Sequence, residues 1–501
     1  MKGWNMIAAM IRLRDIVADA HPVRAALLLF VLGMARGLVI LLAYPPAHGA
    51  DSFVYFLYAE NFAGAPNDFI SQTGYPLYPT LLYASFYAAG SVYWLMALQW
   101  LMAAAVAPLY FLALVPFNRW LACAAGLVIL MDFQVAIVFQ FTSTEPLYIF
   151  LLALCVWLAA GVLGAGPVRN WQFMALGAVL ALLMLTRPVG RFLIVPAVVL
   201  VALRWMEWRK PLMIFAAFAA VLIGQQALLA FTVSSGSALT AGDSMLANIM
   251  NANPQWLSAD NGPNSAIYVQ AVEDCDEHPF RCLQTMVGEW DAALRVVSGA
   301  ASETVRAHLP EVLAGIVRKT SEFLMMSGQQ YAGPDSPAIV QCARPTPTAT
   351  RDMLMKTTWG WALPSYDAAT LARITAAETR VRAAMCPPLV APSAHLKDLL
   401  DTLAERYRSI GRPNALVWYA AILAGVLALP WLRRSYLWLA LLLLAFLMNH
   451  ALISAVTFNV QPRYVVVVNP LREILLLMLL GGLVSLVLRA SAWIRRRISS
   501  E

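Results

Sequence analysis

The sequence predicts an all-α polytopic membrane protein that threads the bilayer about ten times, with eleven or twelve crossings left open, and carries one mostly helical extracytoplasmic domain. Three observations carry this. The chain of 501 residues is 60% hydrophobic and only 13% charged, whereas roughly a quarter of the residues of a soluble domain are charged. Apolar runs close to the ~20 residues that cross ~30 Å of hydrocarbon recur at 25–44, 93–115, 120–140, 146–164, 171–187, 190–206, 212–232, 416–432, 436–456 and 465–488. Between the seventh and eighth runs the composition changes: hydropathy drops, Pro and Gly cluster, and charges of both signs mix.

Taken in order, residues 1–24 form a basic, amphipathic approach segment. No removable signal peptide is read there, and the first span is expected to act as its own address. Residues 25–232 form an N-terminal transmembrane module whose first outer loop is 45–92. Within that loop Tyr75 to Ala89 is apolar but broken by Pro76 and Pro79, which predicts a re-entrant or surface-lying helix rather than a span. Residues 233–415 form the extracytoplasmic domain, 416–488 a C-terminal transmembrane module and 489–501 a basic tail.

Lys and Arg set the orientation, because basic residues near span ends are retained in the cytoplasm. Lys2, Arg12, Arg14, Arg24, Arg119, Arg169, Arg204, Arg209, Lys210, Arg433, Arg434, Arg489 and Arg495 to Arg497 all fall on one side of a ten-span arrangement. The loop from Ala43 to Tyr75 has no Lys or Arg but holds Asp51, Glu60 and Asp68. Both termini are therefore expected in the cytoplasm of a bacterial-type inner (plasma) membrane, with the loop outside.

In the large domain, Cys282–Arg306, Pro310–Ser327 and Ala368–Met385 show helical spacing of apolar residues, and Gly328–Thr350 reads as Pro-rich loop. Cys275, Cys282, Cys342 and Cys386 fall there, and an oxidising compartment favours two disulfides. Three pairings are open; Cys275–Cys282 with Cys342–Cys386 is the working one. Cys123 and Cys155 lie in spans and read as packing residues. The domain is slightly acidic despite the net charge of +7, so it offers no basic stripe for nucleic acid. No Gly-rich phosphate loop and no metal-type Cys or His arrangement is present.

Ionisable residues at membrane depth are costly, so they are informative. Asp51, Glu145, Arg187, Arg191 and Arg463 each stand at or beside the outer end of a predicted span. Asp51 and Glu145 also suit helix N-termini, while the arginines run against the positive-inside tendency and match phosphate, which takes bidentate guanidinium donors. Arg36 and Asp132 are at matching depth and read as a structural ion pair. His450 reads as a satisfied packing histidine. Arg472, beside Glu473 on the last span, has two open roles: reaching a lipid phosphate or pairing internally.

The order of these motifs resembles the GT-C superfamily of polytopic glycosyltransferases, near the protein O-mannosyltransferase and lipid A aminoarabinose transferase branch. The likeness rests on Ala-Asp51-Ser in the first outer loop, Gly74-Tyr-Pro-Leu-Tyr-Pro79, Thr142-Ser-Thr-Glu145-Pro, Leu-Met-Leu-Thr-Arg187-Pro-Val-Gly and Gln461-Pro-Arg463-Tyr464, over roughly 25–210 and 436–480. It implies a GT-C-like architecture and an inverting transfer of sugar from a polyprenyl-phosphate donor to a glycan, glycolipid or protein acceptor on the extracytoplasmic side. It further implies Asp51 as general base and Glu145 as a second carboxylate. Arg187, Arg191, Arg463 and Arg472 are expected on the donor phosphate, with Tyr75 and Tyr464 shaping the site.

Relatives often carry an Asp-Glu pair in the first loop, where this chain has Asp51-Ser52. A second carboxylate would then come from Glu60 or Asp68, and no metal is assigned, although the carboxylates leave room for a divalent cation. A ligase for preassembled lipid-linked glycan, and a transporter or flippase of a phosphorylated lipid, are the alternatives.

Overall fold

A computed structural model describes residues 21–44, 55–56, 59, 76–164, 166–232, 241–274, 279–288, 290–326, 376, 379–380, 383, 393–411, 434–456 and 465–498. Among the described residues there are helices and no β-strand. In chain order they are α1 (Pro22–Ala43), α2 (Leu77–Leu82, running on as a π-helical turn Tyr83–Ala88), α3 (Val92–Leu114), α4 (Arg119–Met131), α5 (Phe133–Val138), α6 (Thr144–Leu163), α7 (Asn170–Thr186), a 3-10 turn (Pro188–Phe192), α8 (Ile194–Trp205) and α9 (Arg209–Thr232). Then follow α10 (Ala241–Ala252), α11 (Pro263–Asp274), α12 (Pro279–Val287), α13 (Trp290–Ala307), α14 (Leu309–Met325), α15 (Ala394–Gly411), α16 (Arg434–Val456) and α17 (Asn469–Ile498).

Five of these helices, α1, α3, α6, α9 and α16, are long and apolar enough to cross a membrane, and α4 and α7 are shorter apolar helices. This is an all-α membrane protein. The boundaries follow local chemistry: Ser91 caps α3 through Tyr93 N–H, and Asn118 caps α4 through the N–H groups of Trp120 and Leu121, each side-chain oxygen satisfying donors that the first helical turn leaves open.

Two expected spans are not single helices. The run 120–140 breaks at Asp132, which ends α4 and caps α5 by accepting from Gln134 and Val135 N–H. The run 190–206 becomes the 3-10 turn followed by the 12-residue α8, which at ~1.5 Å per residue is too short to cross alone. The run 416–432 lies outside the described residues. The segment around Tyr75–Ala89 is the short α2 and its π turn, far from the length of a span.

One apolar core joins α1, α3, α4, α6, α7, α8, α16 and α17. Packing there is tight at Gly177 on α7, where a Cβ would stand 2.1 Å from the Ile214 carbonyl oxygen of α9. A second core belongs to α10–α13, built on Ala247, Met250, Ala271, Leu283, Ala293, Val297 and Ala300. In this bundle the Glu303 carboxylate of α13 accepts from the Asn264 and Ser265 N–H groups at the start of α11, and from both side chains. Cys282 on α12 is disulfide-bonded; Cys275, Cys342 and Cys386 lie outside the described residues. Cys123 and Cys155 are free.

Two helices tie the large insertion to the membrane bundle. Helix α15 packs on the Ala43 end of α1 and on α5 through Leu396 and Leu400, with Ser393 N–H donating to Leu42 O at 2.8 Å and Tyr44 bonded to Asp401. Helix α14 lies along α16, and its last turn, with Phe323 fully buried, belongs to the membrane-bundle core.

Candidate functional site

The site is built on the segment between α5 and α6. Gln99, a buried amide on apolar α3, donates to Phe139 O at 2.8 Å and Phe141 O at 2.9 Å, and its oxygen accepts from Tyr78 on α2 at 3.2 Å. Both polar atoms of the amide are thereby engaged, and one α3 side chain, itself held by α2, pins the 139–141 backbone. The chain then turns at Ser143, which has the extended geometry of an N-cap without making the side-chain cap bond. Glu145 falls in the first turn of α6, where a carboxylate meets the positive end of the helix dipole, and Pro146 follows it where no intrahelical N–H bond is required.

Glu145 and Arg187 form a buried ion pair, Oε1 to Nη1 2.8 Å apart. Arg187 closes α7, its N–H bonding back to Leu183 O, so the cation sits at the negative end of one helix and the anion at the positive end of another. The 3-10 turn after Arg187 folds against α7 so closely that a Cβ on Gly190 would lie 2.5 Å from the Leu183 carbonyl, which admits only glycine. Asn449 of α16 holds the same turn from the other side, donating to Val189 O at 3.0 Å.

Next to Asn449, His450 Nδ1 faces Phe446 O at 2.7 Å and Nε2 faces Tyr148 OH at 2.8 Å. A carbonyl only accepts, so Nδ1 carries the proton and Nε2 accepts from the tyrosine. His450 is a neutral, satisfied packing group. Tyr148 stands one turn beyond Glu145, so α6, α7 with its turn, and α16 converge on one polar cluster inside an apolar bundle.

On the segments that carry the pair, hydrogen-bonding capacity is left over. Among the described residues Gln140 Oε1, Ser143 Oγ and Arg191 Nε are buried with no partner, as are Arg36 Nε and Asp132 Oδ2 elsewhere in the bundle, and Arg191 makes no ion pair. Buried polar atoms are rarely left this way unless water, an ion or a ligand completes them.

Arg472, one of the arginines expected on the donor phosphate, meets helix carbonyls. Its guanidinium donates to Met326 O at 2.7 Å and Leu324 O at 3.0 Å, closing the carbonyl end of α14. The expected Arg36–Asp132 ion pair is corrected to an indirect one: among the described residues no salt bridge joins them, and Arg36 reaches only the Asp132 carbonyl, at 3.5 Å. Arg36 Nη1 instead donates to Leu130 O at 2.7 Å and Ile129 O at 3.2 Å, a cation on the carbonyl end of α4, while Asp132 caps α5.

Asp51, Glu60, Asp68, Tyr75, Arg463 and Tyr464 lie outside the described residues. Of the expected site residues, the structure brings together Glu145 and Arg187, with Arg191 one 3-10 turn further along the chain. Sequence reading passed over Gln99, Tyr78, Tyr148 and Asn449; the signal for Gln99 was a lone amide midway along an apolar run. Among the described residues no three His, Cys, Asp or Glu side chains group as a metal would need. Set beside models of protein families, curated proteins and solved structures, the chain matches none.

Proposed function

We propose that the chain is an inverting membrane glycosyltransferase that moves a sugar from a polyprenyl-phosphate donor to an acceptor hydroxyl on the extracytoplasmic face of a bacterial-type inner membrane. The observation that carries this reading is the buried Glu145–Arg187 pair, followed four residues on by Arg191, whose buried Nε has no partner among the described residues. A cationic group with open donors, seated in an apolar bundle, suits a lipid phosphate better than a soluble one. The resemblance to GT-C enzymes supports the same reading.

In the proposed reaction the Asp51 carboxylate takes the acceptor O–H proton as that oxygen forms its bond to the anomeric carbon. The bond from that carbon to the phosphate oxygen breaks with its electron pair, releasing polyprenyl phosphate and inverting the centre. Arg191 and Arg463 stabilise the charge that grows on the phosphate. Arg187 is already paired, so its share is smaller, and Glu145 becomes the residue that positions it. The leftover capacity of Gln140 and Ser143 suits hydroxyl groups of a sugar.

The test is transfer of labelled sugar from synthetic polyprenyl-phosphate sugars by the full chain in detergent, run beside Asp51→Asn and Arg191→Ala. Loss of a general base is expected to slow transfer by about 10²–10⁴-fold while polyprenyl phosphate still binds. Undiminished transfer by Asp51→Asn removes the base assignment. Binding of the phosphate lipid without transfer of any sugar favours a carrier.

A further inference from the structure

At the end of α6 away from Glu145, four helix ends meet. Arg204, in the last turn of α8, donates to Gly164 O at 3.2 Å and Leu163 O at 3.5 Å, and Trp205 Nε1 donates to Val162 O at 3.0 Å. A cation and an indole thus close the carbonyl end of α6. The Trp205 ring meets Phe173 of α7 edge to face and carries two cations: Lys210 Nζ of α9 lies 3.7 Å from its centre and the Arg204 guanidinium carbon 5.0 Å. At ~1.5 Å per residue, the length of α6 places this junction ~25–30 Å from the Glu145–Arg187 pair, so it is no part of that site.

The turn from α8 to α9 is both basic and exposed. Met206 takes a left-handed conformation, φ 54°, where glycine would sit without strain, and this turn leaves Met206 83% and Trp208 70% exposed. Arg209 lies over the Trp208 ring at 5.9 Å and makes no ion pair among the described residues. Lys210 pairs with Glu207 at 3.0 Å, which uses one of the three ammonium donors. Arg204, Arg209 and Lys210 face one carboxylate, Glu207, so two of the three positive charges remain uncompensated.

Helix α9 sets the depth of this cluster. Residues 211–232, all within α9, carry no charged side chain, and at ~1.5 Å per residue they cover the ~30 Å of hydrocarbon. Arg209 and Lys210, immediately before them, stand at the hydrocarbon edge, which is the level of the lipid phosphates. Trp205, beside Lys210, and Trp208 share that level, where indole rings are at home.

We infer that the α8–α9 turn binds an anionic phospholipid, with Arg209 and Lys210 on its phosphate and Trp205 and Trp208 beside its headgroup. Uncompensated cations at phosphate level are matched by a headgroup of net negative charge, whereas a zwitterionic headgroup brings a cation of its own to the same place. The inference rests on α9 crossing the membrane and is independent of the reaction proposed above.

The test counts the lipids that the full chain retains in native mass spectrometry when phosphatidylglycerol and phosphatidylcholine are offered together in equal amounts. Wild type is expected to hold phosphatidylglycerol in clear excess. Arg209→Gln alone should lower that preference about fivefold, and Arg209→Gln with Lys210→Gln further still. Arg209 is exposed and makes no hydrogen bond among the described residues, so the single variant keeps the test decisive if the double one fails to fold. Arg318→Gln with Lys319→Gln, which removes the same charge from α14, should leave the preference unchanged. Equal retention of the two lipids by wild type, an unchanged preference in Arg209→Gln, or an equal loss in the α14 variant overturns the inference. Displacement of phosphatidylglycerol by an equal concentration of inorganic phosphate overturns it too, because the turn would then take a free anion rather than a lipid.

Discussion

Arg36 with Asp132 and Glu145 with Arg187 are two sets of opposite charges buried in the same bundle, and they find different kinds of partner. Arg36 meets the carbonyl end of α4 and Asp132 meets the amide end of α5, so each charge completes a helix terminus and the two are bound to the break between α4 and α5. Glu145 and Arg187 meet each other. A charge committed to backbone can be replaced only by another group that caps the same helix. A charge committed to a second side chain loses its compensation when that side chain is removed, and regains it only when both are neutralised together.

The largest expected effect falls on the side-chain pair. Arg187→Met leaves Glu145 buried without its partner and is expected to cost about 3–5 kcal/mol, read as loss of resistance to denaturant by the detergent-solubilised chain. Adding Glu145→Gln to Arg187→Met should recover most of it. A single variant no worse than the double would mean that water reaches the pair and the contrast with Arg36 fails.

Next comes Gln99→Leu, which removes the amide's bonds to the Phe139 and Phe141 carbonyls and to Tyr78 OH at once and is expected to cost about 1–3 kcal/mol. Under the proposed reaction it should also slow transfer, since the segment that aims Glu145 loses its clamp. The backbone-committed set should respond more mildly and with a different chemistry. Asp132→Ala is expected to cost about 0.5–2 kcal/mol, but Asp132→Asn only a few tenths of that, because Asn caps as well as Asp. If Asp132→Asn proved as harmful as Asp132→Ala, the charge and not the cap would be the working feature.

Much of the bundle was legible because apolar length is a strong signal: the expected run 25–44 is α1 at Pro22–Ala43, and 146–164 is α6 at Thr144–Leu163. The breaks were less legible. In a run that is apolar all round, nothing in the periodicity marks where a helix stops, so Asp132 read as a charge within a span rather than as the cap of a new helix. The depth match of Arg36 and Asp132 was correct in kind, but whether charges meet each other or helix ends depends on that break. Glu145 and Arg187 were each singled out; that they meet depends on how α6 and α7 pack, which spacing along the chain does not encode. Arg472 left two roles open, and its partners, 146 and 148 residues away, come from a part of the large insertion that reads as soluble.

The smallest expected effect lies outside the membrane bundle, at Glu303, and it extends the contrast to a carboxylate bound to backbone in water. Burial alone would push its pKa up, but the N–H and hydroxyl of Ser265 and the amide and N–H of Asn264 outweigh that and hold it below the ordinary glutamate value. A depressed folded pKa contributes stability above the unfolded value, about 4.3, and that contribution is lost as pH falls through the folded value. Glu303→Gln keeps one acceptor oxygen and turns an NH2 group toward a Ser265 donor. It should therefore lower stability by about 1 kcal/mol or less at neutral pH, as for a weakened helix cap, and the gap to wild type should close as pH drops from about 5 towards 3. The readout is denaturant unfolding of the full chain at a series of pH values, followed through the helices of the α10–α13 bundle. A gap that stays constant through that range would show the four bonds to be made equally by the protonated acid, and the carboxylate's charge, unlike that of Glu145, would then do nothing for the fold.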